Sequence, residues 1–423
     1  MTMIKIVEMR EFVFKYVINV FVANFFLRSA TLVSKFVFLI YVTRNFKLEE
    51  LANYGVFSSV LTYVLYALGL EIYTVTQRKI VQSPLKQELY IGQQIWVYCS
   101  THLIFVFTIF IFQPNIEFAT LIFFFAITSV EHLNQEINRL AIALGKPTVA
   151  SMLLFLRVAA WVWLFIFADF IVDFENLHEL LVFWLVSVIV AFLFGLRFIL
   201  SHCKITFNRP KWRLIVKILK LSAPILVASL SFRLFFVLDR IFLDILGSPQ
   251  LVASYIFYMS LTMAVLSLYD SAYLAPNLRK FIRRGKDQSY WKANLFKVIA
   301  QSLTLYLGII FLSIPFVSLV ADTTGKDEVR ELIHVYYITG GIGAAYLLNT
   351  VVNFALYTMG RDFENAKSNI SGILVFGFGL IIVAFCSFDA QLVLVSLVTG
   401  FLTMFAFKLH YINMIPKREN ADA

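Results

Sequence analysis

The chain has 423 residues, of which 60% are hydrophobic and only 15% charged, with a formal net charge of +10. Soluble domains carry about 25% charged residues, so this composition excludes an ordinary soluble protein. The basic residues are scattered over many connections, which argues against a nucleic-acid partner, and Cys99, Cys203 and Cys386 show neither a disulfide framework nor a metal-ligand spacing.

Apolar runs of about 20 residues, the length that crosses a bilayer, recur from end to end. They predict twelve helical spans at 17–41, 48–70, 91–112, 118–138, 149–169, 180–200, 214–238, 251–275, 293–320, 332–359, 368–387 and 390–409. The first is longer than the apolar core of a signal peptide and is followed by no small-residue cleavage site, so it is expected to remain as a span. Short connections such as Gln113-Pro114-Asn115 and Gly145-Lys146-Pro147 separate the runs.

Of the 36 Lys and Arg residues, 27 fall at the N-terminus, in connections after even-numbered spans or at the span ends that border them, or at the C-terminal end. Connections after odd-numbered spans hold 5, together with acidic residues such as Asp169, Asp173, Glu175 and Glu179. Such asymmetry predicts that both termini face the cytoplasm. Two stretches, Arg197 to Lys220 and Arg279 to Lys297, carry seven basic residues each and suit contact with anionic lipid headgroups.

Arg28, Lys35, Arg157 and Arg233 fall inside predicted spans. A charge at mid-bilayer costs roughly 2.5–3.5 kcal/mol on insertion scales, so four facing lipid would cost about 10 kcal/mol. A polar interior that meets something anionic is the expected setting.

The first basic stretch separates two sets of six spans, giving a lobe at 1–200, a basic linker at 201–213 and a second lobe at 214–423. Val22-Ala23-Asn24-Phe25-Phe26-Leu27-Arg28 parallels Val227-Ala228-Ser229-Leu230-Ser231-Phe232-Arg233. Spans 2 and 8 match at an offset of 201: Tyr54 with Tyr255, Ser59 with Ser260, Val64-Leu65 with Val265-Leu266, and Arg78-Lys79 with Arg279-Lys280. A parallel repeat puts substrate near the midplane between lobes, with Arg28 and Arg233 at equivalent positions.

Within span 1, Asn24, Arg28, Thr31 and Lys35 lie within roughly 60° of one another on a helix. That face suits an anion-binding wall; the alternative for Lys35, and for Arg157, is snorkelling to an interface. Span 4 carries Glu131, Asn134, Gln135 and Asn138 on one side, with Arg139 at its end. Glu131 is expected either to pair with a cavity arginine or to couple protons. Asp270 and Glu71 stand nearer the cytoplasmic side, as caps or gates. Asn349 and Asn353, one turn apart, suit a cavity wall or hydrogen bonds between helices.

Tyr54-Gly55-Val56-Phe57-Ser58 and Leu68-Gly69-Leu70 in span 2 resemble the opening of Wzx-type O-antigen flippases. So do Pro224 with Leu238-Asp239-Arg240-Ile241-Phe242-Leu243, and Ala253-Ser254-Tyr255 with Ala275-Pro276. These belong to the multidrug/oligosaccharidyl-lipid/polysaccharide exporter superfamily. The resemblance implies an all-α polytopic membrane protein, with twelve transmembrane helices in two six-helix lobes around a central cationic cavity. It implies flipping of an undecaprenyl-diphosphate-linked oligosaccharide from the inner to the outer leaflet of a bacterial cytoplasmic membrane, coupled to a proton or sodium ion, with polysaccharide polymerase machinery as a further partner. No cofactor or metal is expected. The family supplies no fixed cavity signature, so Arg28, Lys35, Arg157 and Arg233 rest on this sequence alone. Lipid II flippases of the superfamily typically have fourteen spans, and twelve argues against that branch.

Two other readings compete. A cation-coupled multidrug antiporter of the same superfamily would be expected to have an acidic cavity, whereas the deep charges here favour the basic side. A membrane polysaccharide polymerase or ligase would carry a large outer loop. The longest outer connections here are too short for one, and no nucleophile–base pair or phosphate-cradling loop is legible, so an enzyme is not expected.

Overall fold

The computed structural model describes residues 2–111, 118–172, 174, 176–203, 209–269, 273, 288–386 and 388–414. Among them there is helix and no strand: α1 (Thr2–Asn45), α2 (Leu48–Gly69), α3 (Ile72–Gln82), α4 (Gln87–Ile111), α5 (Phe118–Ala143), α6 (Pro147–Phe155), α7 (Trp161–Val172), α8 (Leu177–His202), α9 (Trp212–Leu246) and α10 (Pro249–Tyr269), followed by α11 (Gln288–Thr323), α12 (Asp327–Glu331), α13 (His334–Thr358), α14 (Asp362–Phe385) and α15 (Leu392–Met414). A π-helical turn, Leu156–Ala160, joins α6 to α7.

Among the described residues, ten segments are long and apolar enough to cross a membrane. The predicted third and fourth spans fall on α4 and α5, which have 25 and 26 residues. At 1.5 Å per residue each reaches about 38 Å, enough to cross. The chain is therefore a polytopic helical membrane protein, with a helix at each of the twelve predicted places. Arg240, which the predicted spans leave in an outer connection, is within α9, and Lys408, at the end of the last predicted span, is within α15 and buried.

Packing divides the chain into two compact units. Unit 1 comprises Met1–Phe38 and Leu68–Leu219. Its helix α5 lies against α6 and α8, tied by Asn134 Nδ2 donating to Val188 O at 2.8 Å and Asn138 Nδ2 donating to Ala150 O at 2.6 Å. Trp161 stacks on Trp184 and meets the edge of Phe38. Between α2 and α3 the backbone turns through Leu70 (φ 47°) and Glu71 (φ 51°). Side chains seldom adopt that left-handed region, so the turn carries strain of order 1–3 kcal/mol per residue.

Unit 2 comprises Leu39–Ala67 and Lys220–Ala423. Close helix approach through small residues organises it, as expected where lipid gives no hydrophobic drive for association. A Cβ on Gly400 would lie 2.6 Å from Phe235 Cε1 and 3.0 Å from Gly372 O, and one on Gly372 would lie 2.8 Å from Gly400 O. Phe235 stacks on both Phe376 and Phe401 at this crossing. Gly400→Val is expected to force α14 and α15 apart and cost about 2 kcal/mol or more. An unaltered thermal midpoint in detergent would show that the crossing has slack.

Candidate functional site

In unit 1 the charged residues of the sequence reading gather around one carboxylate. Glu131 is buried on α5, and Arg157 Nη1 lies 3.6 Å from its Oε1. Arg157 sits in the π-helical turn, and Ser187 Oγ donates to Leu156 O in the same turn. Such single π turns widen a helix locally and frequently accompany function. Lys35 of α1 has an exposed side chain yet stands close enough for its charge to act on both Glu131 and Arg157. Two cations thus share one carboxylate, whose second oxygen, Oε2, has no hydrogen-bond donor among the described residues.

Further along the same face, Arg28 is exposed and its Nε lies 3.5 Å from Ser151 Oγ, at the long limit of a hydrogen bond. Asn24 Oδ1 and Gln135 Oε1 are buried with no donor among the described residues. Thr31 donates to Leu27 O at 2.7 Å, within its own helix. Ser34, which sequence reading passed over, accepts the indole N–H of Trp163 at 2.8 Å and so joins α1 to α7. On α1 the residues of the predicted stripe leave Arg28 and Lys35 exposed and Thr31 buried, and those of predicted span 4 divide. Glu131 faces Arg157, and Asn134 and Asn138 tie α5 to its neighbours. Arg139 donates to Glu136, which also accepts from Tyr98, and its guanidinium lies 3.5 Å from the Tyr73 ring centroid.

Unit 2 holds Arg233 half-buried, its guanidinium carbon 3.2 Å from the centroid of the Tyr66 ring. That stacking fixes the plane of the guanidinium while leaving its charge uncancelled. Asn349 is fully buried and donates to Phe401 O at 2.7 Å, which makes it a tie between α13 and α15; Asn353 Oδ1 one turn on has no donor among the described residues. Glu71, a residue of unit 1, is buried at the strained turn after α2. Asp270 lies outside the described residues.

A second cluster in unit 2 was not foreseen, although its residues were quoted for their resemblance to flippases. Asp239 is fully buried and accepts from Tyr255 Oη and from the Arg240 backbone N–H. Arg240 Nη1 donates to Gly55 O at 2.8 Å. A Cβ on Gly55 would lie 1.9 Å from Ile256 Cδ1, so only glycine allows α2 to approach α10 this closely. Three motifs far apart in sequence therefore form one latch of α2, α9 and α10. Gly55 and Ile256 are also counterparts at the repeat offset of 201.

No family model and no curated protein matches the chain. Solved structures do. An inward-facing multidrug resistance MATE family transporter of the MOP superfamily matches with a TM-score of 0.67 at 16% identity, covering 91% of this chain and 94% of its own. A structure of the lipid II flippase MurJ in an inward closed conformation also gives 0.67, at 14% identity, covering 94% of this chain and 88% of that one. The chain has the fold of these transporters. An outward-facing MATE structure matches over 95% of both chains with a TM-score of 0.60 at 14% identity. The likeness therefore runs through essentially the whole chain.

Proposed function

We propose that the protein is a flippase that carries an undecaprenyl-diphosphate-linked oligosaccharide from the inner to the outer leaflet of a bacterial cytoplasmic membrane by alternating access, with both termini in the cytoplasm. One observation carries this reading: among the described residues, no carboxylate lies within ion-pair distance of Arg28 or Arg233, although both stand in membrane-spanning helices. Uncompensated charge in a membrane interior is costly and is retained where an ion of opposite sign is handled. A diphosphate meets that need, and arginine suits it through its planar, two-pronged donor set. Asn24 and Gln135 offer unused amide oxygens for sugar hydroxyls.

The alternative, a cation-coupled multidrug antiporter, draws support from the MATE structures that share the fold. It requires acidic groups free to hold a cation, whereas Glu131, Glu136 and Asp239 each have Arg or Tyr partners. Expression in a bacterium deprived of its own polysaccharide-unit flippase tests the choice. Restored surface polysaccharide supports the proposal; resistance to cationic dyes without polysaccharide rejects it.

Glu131 competes with a diphosphate for Arg157 and Lys35 in this account. Glu131→Gln is expected to tighten binding of undecaprenyl diphosphate about tenfold, the order of one charge-assisted hydrogen bond. A titration giving the wild-type Kd would remove Arg157 from the site.

A further inference from the structure

Arg233 and Arg240 stand seven residues apart on α9, so they lie within roughly 20° of one another around the helix and project to one side. Both reach α2. Arg240 Nη1 donates to Gly55 O at 2.8 Å, and the Arg233 guanidinium carbon lies 3.2 Å from the centroid of the Tyr66 ring. The stretch of α2 between these two contacts is therefore bounded at each end by an arginine of the same neighbouring helix, all within unit 2.

That stretch begins closed and ends open. At Gly55 a Cβ would lie 1.9 Å from Ile256 Cδ1, and Ser59 one turn on is still buried. Thr62 is exposed, and Tyr63 and Tyr66 are half-buried. Thr62 and Tyr63 stand four and three residues before Tyr66, which on a helix places their Cβ atoms about 5–6 Å from its own. The Arg233 guanidinium thus lies within one turn of both hydroxyl groups, and a face that carries an arginine and open hydroxyls is costly to turn toward hydrocarbon. The two hydroxyls are complementary. Thr62 donates its hydrogen to Ser58 O at 2.8 Å, which leaves its oxygen to accept, while Ser58 and Ser59 donate to Gly55 O and Val56 O. Tyr63 makes no hydrogen bond among the described residues, so its hydroxyl can donate as well as accept. At the repeat offset of 201 the counterparts on α10 are Met263 and Ala264, so this hydroxyl pair belongs to one copy of the repeat alone.

A guanidinium that stacks by its face keeps its N–H edge for a phosphate. Whatever is covalently joined to that phosphate must then lie against the side chains next to Arg233. We propose that Thr62 and Tyr63 select the sugar joined to the diphosphate, Thr62 by accepting a hydrogen bond from one of its hydroxyls and Tyr63 by donating to another. A hexose suits such a pair, because each of its hydroxyls can do both. Selection works by penalty as well as by attraction: a headgroup without hydroxyls at these two points leaves both side chains unpaired when it covers them. This inference rests on the flippase reading and adds to it the residues that sense the sugar.

The test measures the affinity of the full chain in lipid nanodiscs for undecaprenyl diphosphate and for the same lipid carrying one glucose, one galactose or one N-acetylglucosamine. In the wild type the preferred sugar-bearing lipid is expected to bind about tenfold tighter than the bare diphosphate, the order of one or two hydrogen bonds. Thr62→Val and Tyr63→Phe together nearly keep the shape of both side chains and are expected to bring that ratio to about one. Arg233→Ala should weaken binding of every lipid and leave the ratio as it was. A ratio that survives in the double variant overturns the proposal. So does a wild-type ratio near one for all three sugars, or a double variant that loses the bare lipid along with the sugar-bearing one. Failure of every lipid, bare or sugar-bearing, to bind the wild type defeats the flippase reading itself and this inference with it.

Discussion

Arg233→Ala should lower transport of a diphosphate-linked lipid by about a hundredfold while the chain still inserts and elutes as a folded protein. The size follows from a charge-assisted, two-pronged contact to phosphate worth up to about 3 kcal/mol, where each 1.4 kcal/mol is tenfold in rate. The guanidinium lies over the Tyr66 ring, and among the described residues it has no carboxylate to release before it meets an anion. Arg233→Lys keeps the charge but loses the planar fork and the stacking, so its rate should fall between the two. Initial rates in vesicles separate the three proteins. Wild-type rates in Arg233→Ala would remove this residue from the substrate path.

Asp239→Ala should destabilise the protein by about 3–5 kcal/mol, the cost of removing one member of a buried charged network. The carboxylate is inaccessible to solvent and holds the Tyr255 hydroxyl and the Arg240 N–H, while Arg240 reaches across to Gly55 O. Its loss leaves the buried Tyr255 hydroxyl without its acceptor and the half-buried Arg240 without a neighbouring carboxylate, which loosens α2 from α9 and α10. Tyr255→Phe removes only one hydrogen bond and should cost about 1–2 kcal/mol. Thermal unfolding of both variants in the same detergent checks the order. Equal midpoints for wild type and Asp239→Ala would show that the latch contributes nothing to stability.

The helices were legible in the sequence because each apolar run is about as long as a bilayer is thick, and the structure puts a helix at every predicted place. The face of α1 bearing Asn24, Arg28 and Lys35 was legible for the same kind of reason, since helical periodicity is local. What pairs with what was not. Asn138 and Asn349 look like cavity residues by spacing, and only their neighbours show that each bonds a backbone carbonyl of another helix. Glu131 and Arg157 meet through a π-helical turn that has no signature in composition. Lys408 escaped notice because a lysine near the end of a span is ordinarily free to snorkel, and its burial depends on helices that precede it by up to two hundred residues. The latch left a trace that was read for resemblance alone: Gly55, Asp239, Arg240 and Tyr255 stood in the quoted motifs, but nothing in the sequence says that they touch.

The central claim is that the uncompensated cations of α1 and α9 exist to carry a diphosphate across the membrane. The most direct measurement reconstitutes the full chain in vesicles and follows two cargoes in parallel, an undecaprenyl-diphosphate-linked oligosaccharide and a lipophilic cationic dye. The account predicts that the lipid-linked sugar reaches the opposite leaflet at a rate that collapses in Arg28→Ala and Arg233→Ala, while the dye is left where it was. Pumping of the dye, with the lipid-linked sugar unmoved and both arginine variants as active as the wild type, would contradict it.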